Sequence, residues 1–518
     1  TSWPKVAAWR SAAEAASRST RGFDPQTPQS TPSERWLRLA AASATASGRR
    51  ACYGLWAPGV EQADTLVKNL IDGPGASEYI RSDLSTKLKL LGVDVASFGR
   101  DEDFWFKRQF ASTDQTQIVC LESSNPFEGT YRKLCFSPDG KILLGGLLVG
   151  DAKDYTKLLQ LSKKDPDFVV PDVSFKLSVT ANRIKDAPPP APVQKAEPVQ
   201  EKKVDVASTV AIAGGADVAV TGTQKVLVVG HGPIGHSFIE KLTERKAGFA
   251  ISVLCEEPRP AYNRVMLTQY FKDLDGAKHD EMKLSYCTEA SLKDSGVQLI
   301  YGRAIAVDRD SKMVSYTDNK SGITTSVAYD ILVMATGSYC FVPPTPGMVV
   351  PEKRNPQWPD DPASRPEGVF VYRTIEDLDS LIAASEAGAR RAAVIGGGLL
   401  GLEAAKAVYD LKMESHVLEM APYLMPTQLN EAAGRVLTQK IEALDIKVHA
   451  GVKIQEVVHD GGKVVGIKVL EKGAAEPVII EVDVVVVSCG VRPRDELAKG
   501  CGLEIGSRGG IKVDKGLR

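Results

Sequence analysis

The sequence predicts an α/β chain built on two strand–turn–helix units of one kind, and three observations lead there. Lys225 to Glu240 runs Lys-Val-Leu-Val-Val-Gly-His-Gly-Pro-Ile-Gly-His-Ser-Phe-Ile-Glu, a Val-rich strand entering Gly230, Gly232 and Gly235 and then a helical pattern. Arg391 to Glu403 repeats it, with Ala392-Ala393-Val394-Ile395 leading into Gly396, Gly398 and Gly401. After each unit a second strand ends in an acid, Glu256 in one and Glu419 in the other. Glycines at this spacing form the turn and helix N-terminus that cradle a dinucleotide pyrophosphate, so both units read as Rossmann-like dinucleotide-binding domains. Two such sites in one chain suggest a flavin and a nicotinamide.

Length and composition set the bounds. With 518 residues, 43% apolar and 25% charged, the chain is ample for two or more packed domains. A formal net charge of -1 gives no overall pull toward nucleic acid or an anionic membrane. No run approaches the roughly 18 to 20 apolar residues of a membrane span, so neither partner is expected. The eight cysteines contain no CxxC, which argues against a zinc ribbon, an iron-sulfur cluster and a redox dithiol and favours free thiols. A soluble protein of a reducing compartment is expected, cytoplasmic or in a plastid-like organelle. The six histidines show no metal spacing, and no metal ligand is assigned.

Taken in order, residues 1–49 read as a low-complexity or disordered segment, rich in Ala and Ser, with the composition of a transit segment or linker. The chain begins at Thr1 and is expected to be cut from something longer. Residues 50–180 read as a small α+β unit. A helix begins near Pro58, with Ala63, Leu66, Val67, Leu70 and Ile71 at helical spacing, followed by strands at Leu88–Val95 and Gln117–Glu122. A hairpin follows over Tyr131–Gly150, turning at Ser137-Pro138-Asp139-Gly140. Residues 181–223 are a linker, its prolines and small polar residues unable to bury enough surface to offset their ordering entropy. Residues 224–350 form the first nucleotide domain, 351–390 a connection, 391–490 the second nucleotide domain and 491–518 a return toward the first. Glu256 and Glu419 stand where a ribose hydroxyl is bound, and an acid at Glu419 repels a 2′-phosphate, so NADH is favoured over NADPH.

Two further stretches join these units into one design. Asp330 to Ser338 is a buried strand ending in Ala335-Thr336-Gly337, and Val484 to Ser488 is another, followed by Gly490-Val491-Arg492-Pro493. The order glycine loop, Ala-Thr-Gly, glycine loop, Gly-x-Arg-Pro resembles the two-dinucleotide-binding flavoproteins, in which a nicotinamide domain is inserted in an FAD domain. Glu256 to Phe271 is similar to the flavin-covering loop of the assimilatory NAD(P)H nitrite reductase large subunit. Ser85–Val95 and Lys141–Asp151 resemble C-terminal reductase segments of the same family. The segment resembling residues 50–180 follows the nucleotide domains in that family, and a Gly-Asp or Gly-Glu ribityl strand lies between them. A window across tandem copies accounts for this order, as does a permuted unit. The tandem window is favoured, because permutation gives no reason to lose the ribityl strand.

The resemblance implies FAD on Gly230, Gly232, Gly235 and Glu256, with Arg264, Thr336 and Gly337 near the flavin. It implies NADH on Gly396, Gly398, Gly401 and Glu419, and Glu403 facing the nicotinamide pocket. It also implies that the helix opening at Pro58 aims its positive end at the flavin. Hydride transfer between stacked rings needs positioning and no protein acid or base, so no catalytic side chain is expected. Arg264 as a surface arginine and Glu403 as an ordinary helix residue are the plainer alternatives. No siroheme or iron-sulfur ligand spacing occurs in this chain. The expected role is the NADH-oxidising front end of nitrite assimilation, delivering electrons to a centre carried elsewhere. An NADH-dependent rubredoxin or ferredoxin reductase and a non-catalytic fragment without a complete FAD site are alternatives, and a homodimer is left open.

Overall fold

The computed structural model describes residues 56–80, 82–83, 85–99, 118–163, 224–245, 248–271, 283–353 and 361–518, with short strands at 36–38, 43–44 and 50–51. The linker expected over 181–223 lies outside the described residues. Short Val-, Ile- and Leu-rich runs make the central strands. Buried on both faces, they show continuous apolar sequence instead of alternation, as parallel strands covered by helices do.

The first sheet is ordered Trp36–Arg38, Ile331–Met334, Lys225–Val229, Ala250–Cys255, Val297–Asp308, Met313–Asp318 and Thr324–Ala328. Its first five strands run parallel and the last two return antiparallel. Trp36–Arg38 pairs with Leu332, Val333 and Met334 at the edge of this sheet. Two short strands, Trp36–Arg38 and Ser43–Ala44, interrupt the segment expected to be disordered through residue 49, and the second pairs with Arg50–Ala51.

The second sheet is all parallel, in the order Val369–Val371, Val484–Val487, Arg391–Ile395, Glu414–Glu419 and Lys447–Ala450. Val369–Val371 was expected in the connection and instead belongs to this sheet, as a three-residue strand too short to show a period. Helix Ile375–Glu386 follows, closed by a capping box of Thr374 and Asp377. The Ala-Thr-Gly and Gly-x-Arg-Pro stretches meet where Ser338–Cys340 pairs antiparallel with Val491–Pro493, crossing between the two domains.

The small unit is a five-stranded antiparallel sheet ordered Thr86–Leu90, Val93–Gly99, Leu143–Gly150, Thr130–Phe136 and Val119–Asn125, backed by helix Tyr155–Lys163. Leu88–Val95, expected as one strand, is a hairpin. Leu91 and Gly92 both take positive φ, 50° and 85°, the geometry of a two-residue turn whose twist matches the strands. Phe98, Leu134, Phe136, Leu143, Leu148 and Leu158 fill its core.

Residues 56–163 pack on 224–518 within one chain. Helix Trp56–Ile71 starts two residues before Pro58, which still lies in the first turn where its missing N–H costs nothing. Its Ala63, Leu66, Val67 and Leu70 pack with Phe238, Ile239 and Leu242 of helix Pro233–Glu244. At about 1.5–3 kcal/mol for each large side chain buried, this contact is a substantial one. Residues 515 and 516 close onto helix Trp56–Ile71 and the segment after it: Asn69 donates to the Gly516 carbonyl at 3.3 Å, and Tyr79 N–H to that of Lys515 at 2.8 Å.

Candidate nucleotide-binding sites

Each glycine loop joins a buried strand to a twelve-residue helix, Pro233–Glu244 in one and Leu399–Asp410 in the other. Gly230 and Gly396 need positive φ, 107° and 115°, and a Cβ on either would lie 2.3–2.4 Å from a neighbouring carbonyl oxygen. A Cβ on Gly235 or Gly401 would meet the first glycine's own carbonyl at 2.1 or 1.8 Å. These four glycines let helix, turn and closing strand approach. Gly232 and Gly398 differ, since a Cβ there would meet nothing within 4 Å. Both are helix N-caps with no side-chain hydrogen bond. Helices Glu289–Asp294, Ile375–Glu386 and Glu431–Glu442 are instead capped by Thr288, Thr374 and Asn430. The two glycine-capped helices thus present unsatisfied N–H groups and the positive end of their dipoles to open space, which fits a pyrophosphate.

The acids behave differently. Glu419 turns into its own loop, accepting from Gly397 N–H at 2.6 Å and Ala421 N–H at 2.7 Å. Glu256 lies at the end of its strand and pairs with Arg494 at 2.8 Å and Arg303 at 3.3 Å.

Arg264 is not a surface arginine. It forms an ion pair with Glu257, donates to the Arg373 carbonyl at 3.3 Å and sits 5.0 Å from the centre of the Tyr262 ring. Burial opposes ionisation of Glu257, but the Arg264 charge and the Tyr262 hydroxyl outweigh it and hold the carboxyl below its usual range. The short 3-10 helix Arg264–Phe271, within the stretch expected to cover a flavin, is pinned further by Tyr270, which donates to Asp379 at 2.8 Å. Arg373 donates to Ser338 Oγ at 2.6 Å, so the loop, the crossing strands and the second domain are tied together. Thr336 donates to the Arg494 carbonyl at 2.6 Å, and Gly337 takes a φ of 71°, joining the Ala-Thr-Gly turn to the Gly-x-Arg-Pro segment.

Glu403 is half-buried on helix Leu399–Asp410, and lost solvation pushes its carboxyl up to about 7. Beside it lies Tyr372, fully buried with its hydroxyl unpartnered and its pKa raised by burial and by Glu403. The sequence reading missed Tyr372, Glu257 and Arg373. The Glu256-Glu257 doublet was visible, but which acid took which role depended on residues far along the chain. It also gave the histidines no role, yet the fold brings His231, His236 and Cys287 together with their ligating atoms within 4.8 Å of one another. Both ring nitrogens of His231 are buried and unpartnered, as is Nδ1 of His236. Burial, with His236 beside it, pushes His231 down to about 3, so it is neutral. Buried polar atoms in that state, next to the first glycine turn, fit a polar ligand there.

Residues 224–518 match the pyridine nucleotide-disulphide oxidoreductase family. The NADH nitrite reductase large subunit of Escherichia coli is 39% identical over 293 residues, 56% of this chain and 31% of that protein. The NAD(P)H nitrite reductase large subunit of Klebsiella oxytoca is 39% identical over 300 residues, 57% of this chain and 28% of that protein. The chain therefore spans less than a third of the length of these curated relatives. Among solved structures, an NAD-dependent persulfide reductase from A. fulgidus aligns with a TM-score of 0.47 and 28% identity, covering 55% of this chain and 48% of that one. Among the described residues no helix is long and apolar enough to cross a membrane.

Proposed function

The chain belongs to the pyridine nucleotide-disulphide oxidoreductase family, and on that premise we propose that it is the NADH-oxidising, FAD-containing front end of an assimilatory nitrite reductase. Family membership makes it an NAD(P)H-dependent oxidoreductase. The nitrite role rests on the similarity of residues 224–518 to nitrite reductase large subunits, together with the covering-loop sequence Glu256–Phe271. The carrying observation is the pair of glycine N-caps, Gly232 and Gly398, each facing open space with no side-chain cap.

FAD at the first loop supplies a two-electron acceptor for hydride from NADH and a route for electrons to leave one at a time. The protein's part is positioning. Amides after Gly232 hold one pyrophosphate and those after Gly398 the other, with Gly230, Gly235, Gly396 and Gly401 keeping each turn tight. Glu256 and Glu419 take the ribose hydroxyls, and Glu419 disfavours a 2′-phosphate. The Glu257–Arg264–Tyr262 cluster fixes the covering loop, while Thr336 and Gly337 shape the turn on the flavin side. Glu403 and Tyr372 offer a polar edge for a carboxamide, whose NH2 donates and whose carbonyl accepts. Residues 56–163 complete the unit, and the siroheme and iron-sulfur centres are carried elsewhere.

The test is reconstitution. FAD-loaded protein with NADH is expected to reduce nitrite only when a siroheme-bearing partner is added. Rapid reduction of rubredoxin or ferredoxin, with no nitrite turnover in the presence of that partner, would place the protein among small-carrier reductases instead.

A further inference from the structure

Two cysteines outside the nucleotide sites face each other across an antiparallel ladder. Cys120 on Val119–Asn125 is the direct register partner of Cys135 on Thr130–Phe136, and their sulfurs are 3.4 Å apart. Directly opposed residues in such a ladder have Cα atoms about 4.5 or 5.5 Å apart, inside the roughly 4.4–6.8 Å range of disulfides. Little backbone movement is needed to join them. The two thiols are unequal: Cys120 is exposed on the sheet's edge strand, whereas Cys135 is only 4% exposed. The hydrogen bond with Cys135, aided by the Lys133 ammonium, brings Cys120 down to about 7. Cys255, Cys340 and Cys501 differ in that each points its thiol at a backbone carbonyl.

We propose that Cys120 and Cys135 are an oxidative modification site, at which a hydroperoxide converts the pair to an intramolecular disulfide. The Cys120 thiolate attacks the peroxide oxygen, the O–O bond breaks, and a sulfenic acid forms as the leaving oxygen takes up a proton. Cys135 then attacks the Cys120 sulfur, hydroxide departs, and the Cys135 proton converts it to water. Two thiols and one hydrogen peroxide give one disulfide and two waters, with two electrons passing from sulfur to oxygen. The bond would staple the hairpin that carries the small unit's contacts to the second nucleotide domain. There Asn430 donates to the Tyr131 hydroxyl at 2.8 Å, and Lys440 to the Glu128 carbonyl at 2.7 Å. The proposal is independent of which nucleotides the protein binds.

The test treats reduced, desalted protein with hydrogen peroxide, alkylates the remaining thiols under denaturing conditions and maps peptides by mass. The expected result is a linked Cys120–Cys135 peptide, 2 Da lighter than the two thiol peptides and separable by dithiothreitol, formed at least ~10-fold faster than any other cysteine is modified. In Cys135→Ser, Cys120 is expected to stop at a dimedone-reactive sulfenic acid. Alkylation of both cysteines after peroxide treatment, conversion of Cys120 to sulfinic acid without the link, or pairing of Cys120 with another cysteine would overturn the proposal. Mapping the unsubstituted protein needs no variant to fold.

Discussion

Gly232 and Gly398 open their helices with φ and ψ of -83° and -175° in one and -82° and -174° in the other. The surroundings repeat as well. Asp330 accepts from Lys225 N–H at 2.8 Å at the foot of the first strand, and Asp483 from Arg391 N–H at 2.9 Å at the foot of the second. Ala335 and Ser488 donate back to the ends of those strands, each at 2.8 Å. What differs is the acid and its neighbours. Glu419 is held inside its loop by two backbone amides, whereas Glu256 is drawn off by Arg303 and Arg494, and His231 stands where the second loop has Gly397. The backbone of such a loop thus follows from strand–helix packing alone, and identity of the ligand is left to side chains delivered by other segments.

The two loops are expected to separate most sharply at their open N-caps. Gly232→Ala should lower FAD content, and Gly398→Ala should raise the dissociation constant for NADH, each by roughly 10- to 100-fold for about 1.4–2.8 kcal/mol of steric conflict with the ligand. Each fold should lose less than about 1 kcal/mol, because neither Cβ touches protein. Flavin-to-protein ratio, NADH titration and thermal melts read the three quantities. Cross-effects, with Gly232→Ala weakening only NADH, would reverse the cofactor assignment.

A second difference lies in charge. Glu403 has a folded pKa of about 7 against 4.5 unperturbed, so the native state binds the extra proton. Its stabilising effect is complete below about 4.5 and is lost as pH rises through about 7, a decline of roughly 2 kcal/mol once its partial exposure is allowed for. Melts of the native protein from pH 5 to 8 should show that fall relative to Glu403→Gln, which should be flatter. Equal slopes would mean that Glu403 stays ionised.

The smallest effect separates the two ribose acids. Glu419→Gln leaves the Gly397 and Ala421 amides with a poorer acceptor and is expected to cost about 1–2 kcal/mol. Glu256→Gln removes exposed ion pairs worth about 0.5–1 kcal/mol. Denaturant midpoints would rank them, and the reverse order would show Glu256 to be the more firmly built.

Much of this was legible because glycine turns and buried parallel strands are local demands. Gly230 and Gly396 need positive φ, and the Val484–Val487 run can only be an interior strand. The helix at Pro58 was legible from its spacing, since Ala63, Leu66, Val67 and Leu70 are among the residues it buries. The hairpin at Leu91-Gly92 was not, because one glycine within an apolar run gives little sign of a turn. Nor was the Glu257–Arg264–Arg373 cluster, because Arg373 lies 109 residues beyond Arg264 and meets it only when the domains cross. His231 and His236 lie five residues apart, but Cys287 joins them only in the fold. Cys120 and Cys135 had no spacing to mark them as partners, because a ladder register pairs them.

The division of labour between the two loops can be tested directly by anaerobic titration of the purified protein with reduced nicotinamides, followed by visible absorbance. The expected result is a yellow protein whose flavin band bleaches stoichiometrically with NADH and far more slowly with NADPH. A protein that is colourless and takes up no FAD, or one that NADPH bleaches better than NADH, would contradict it.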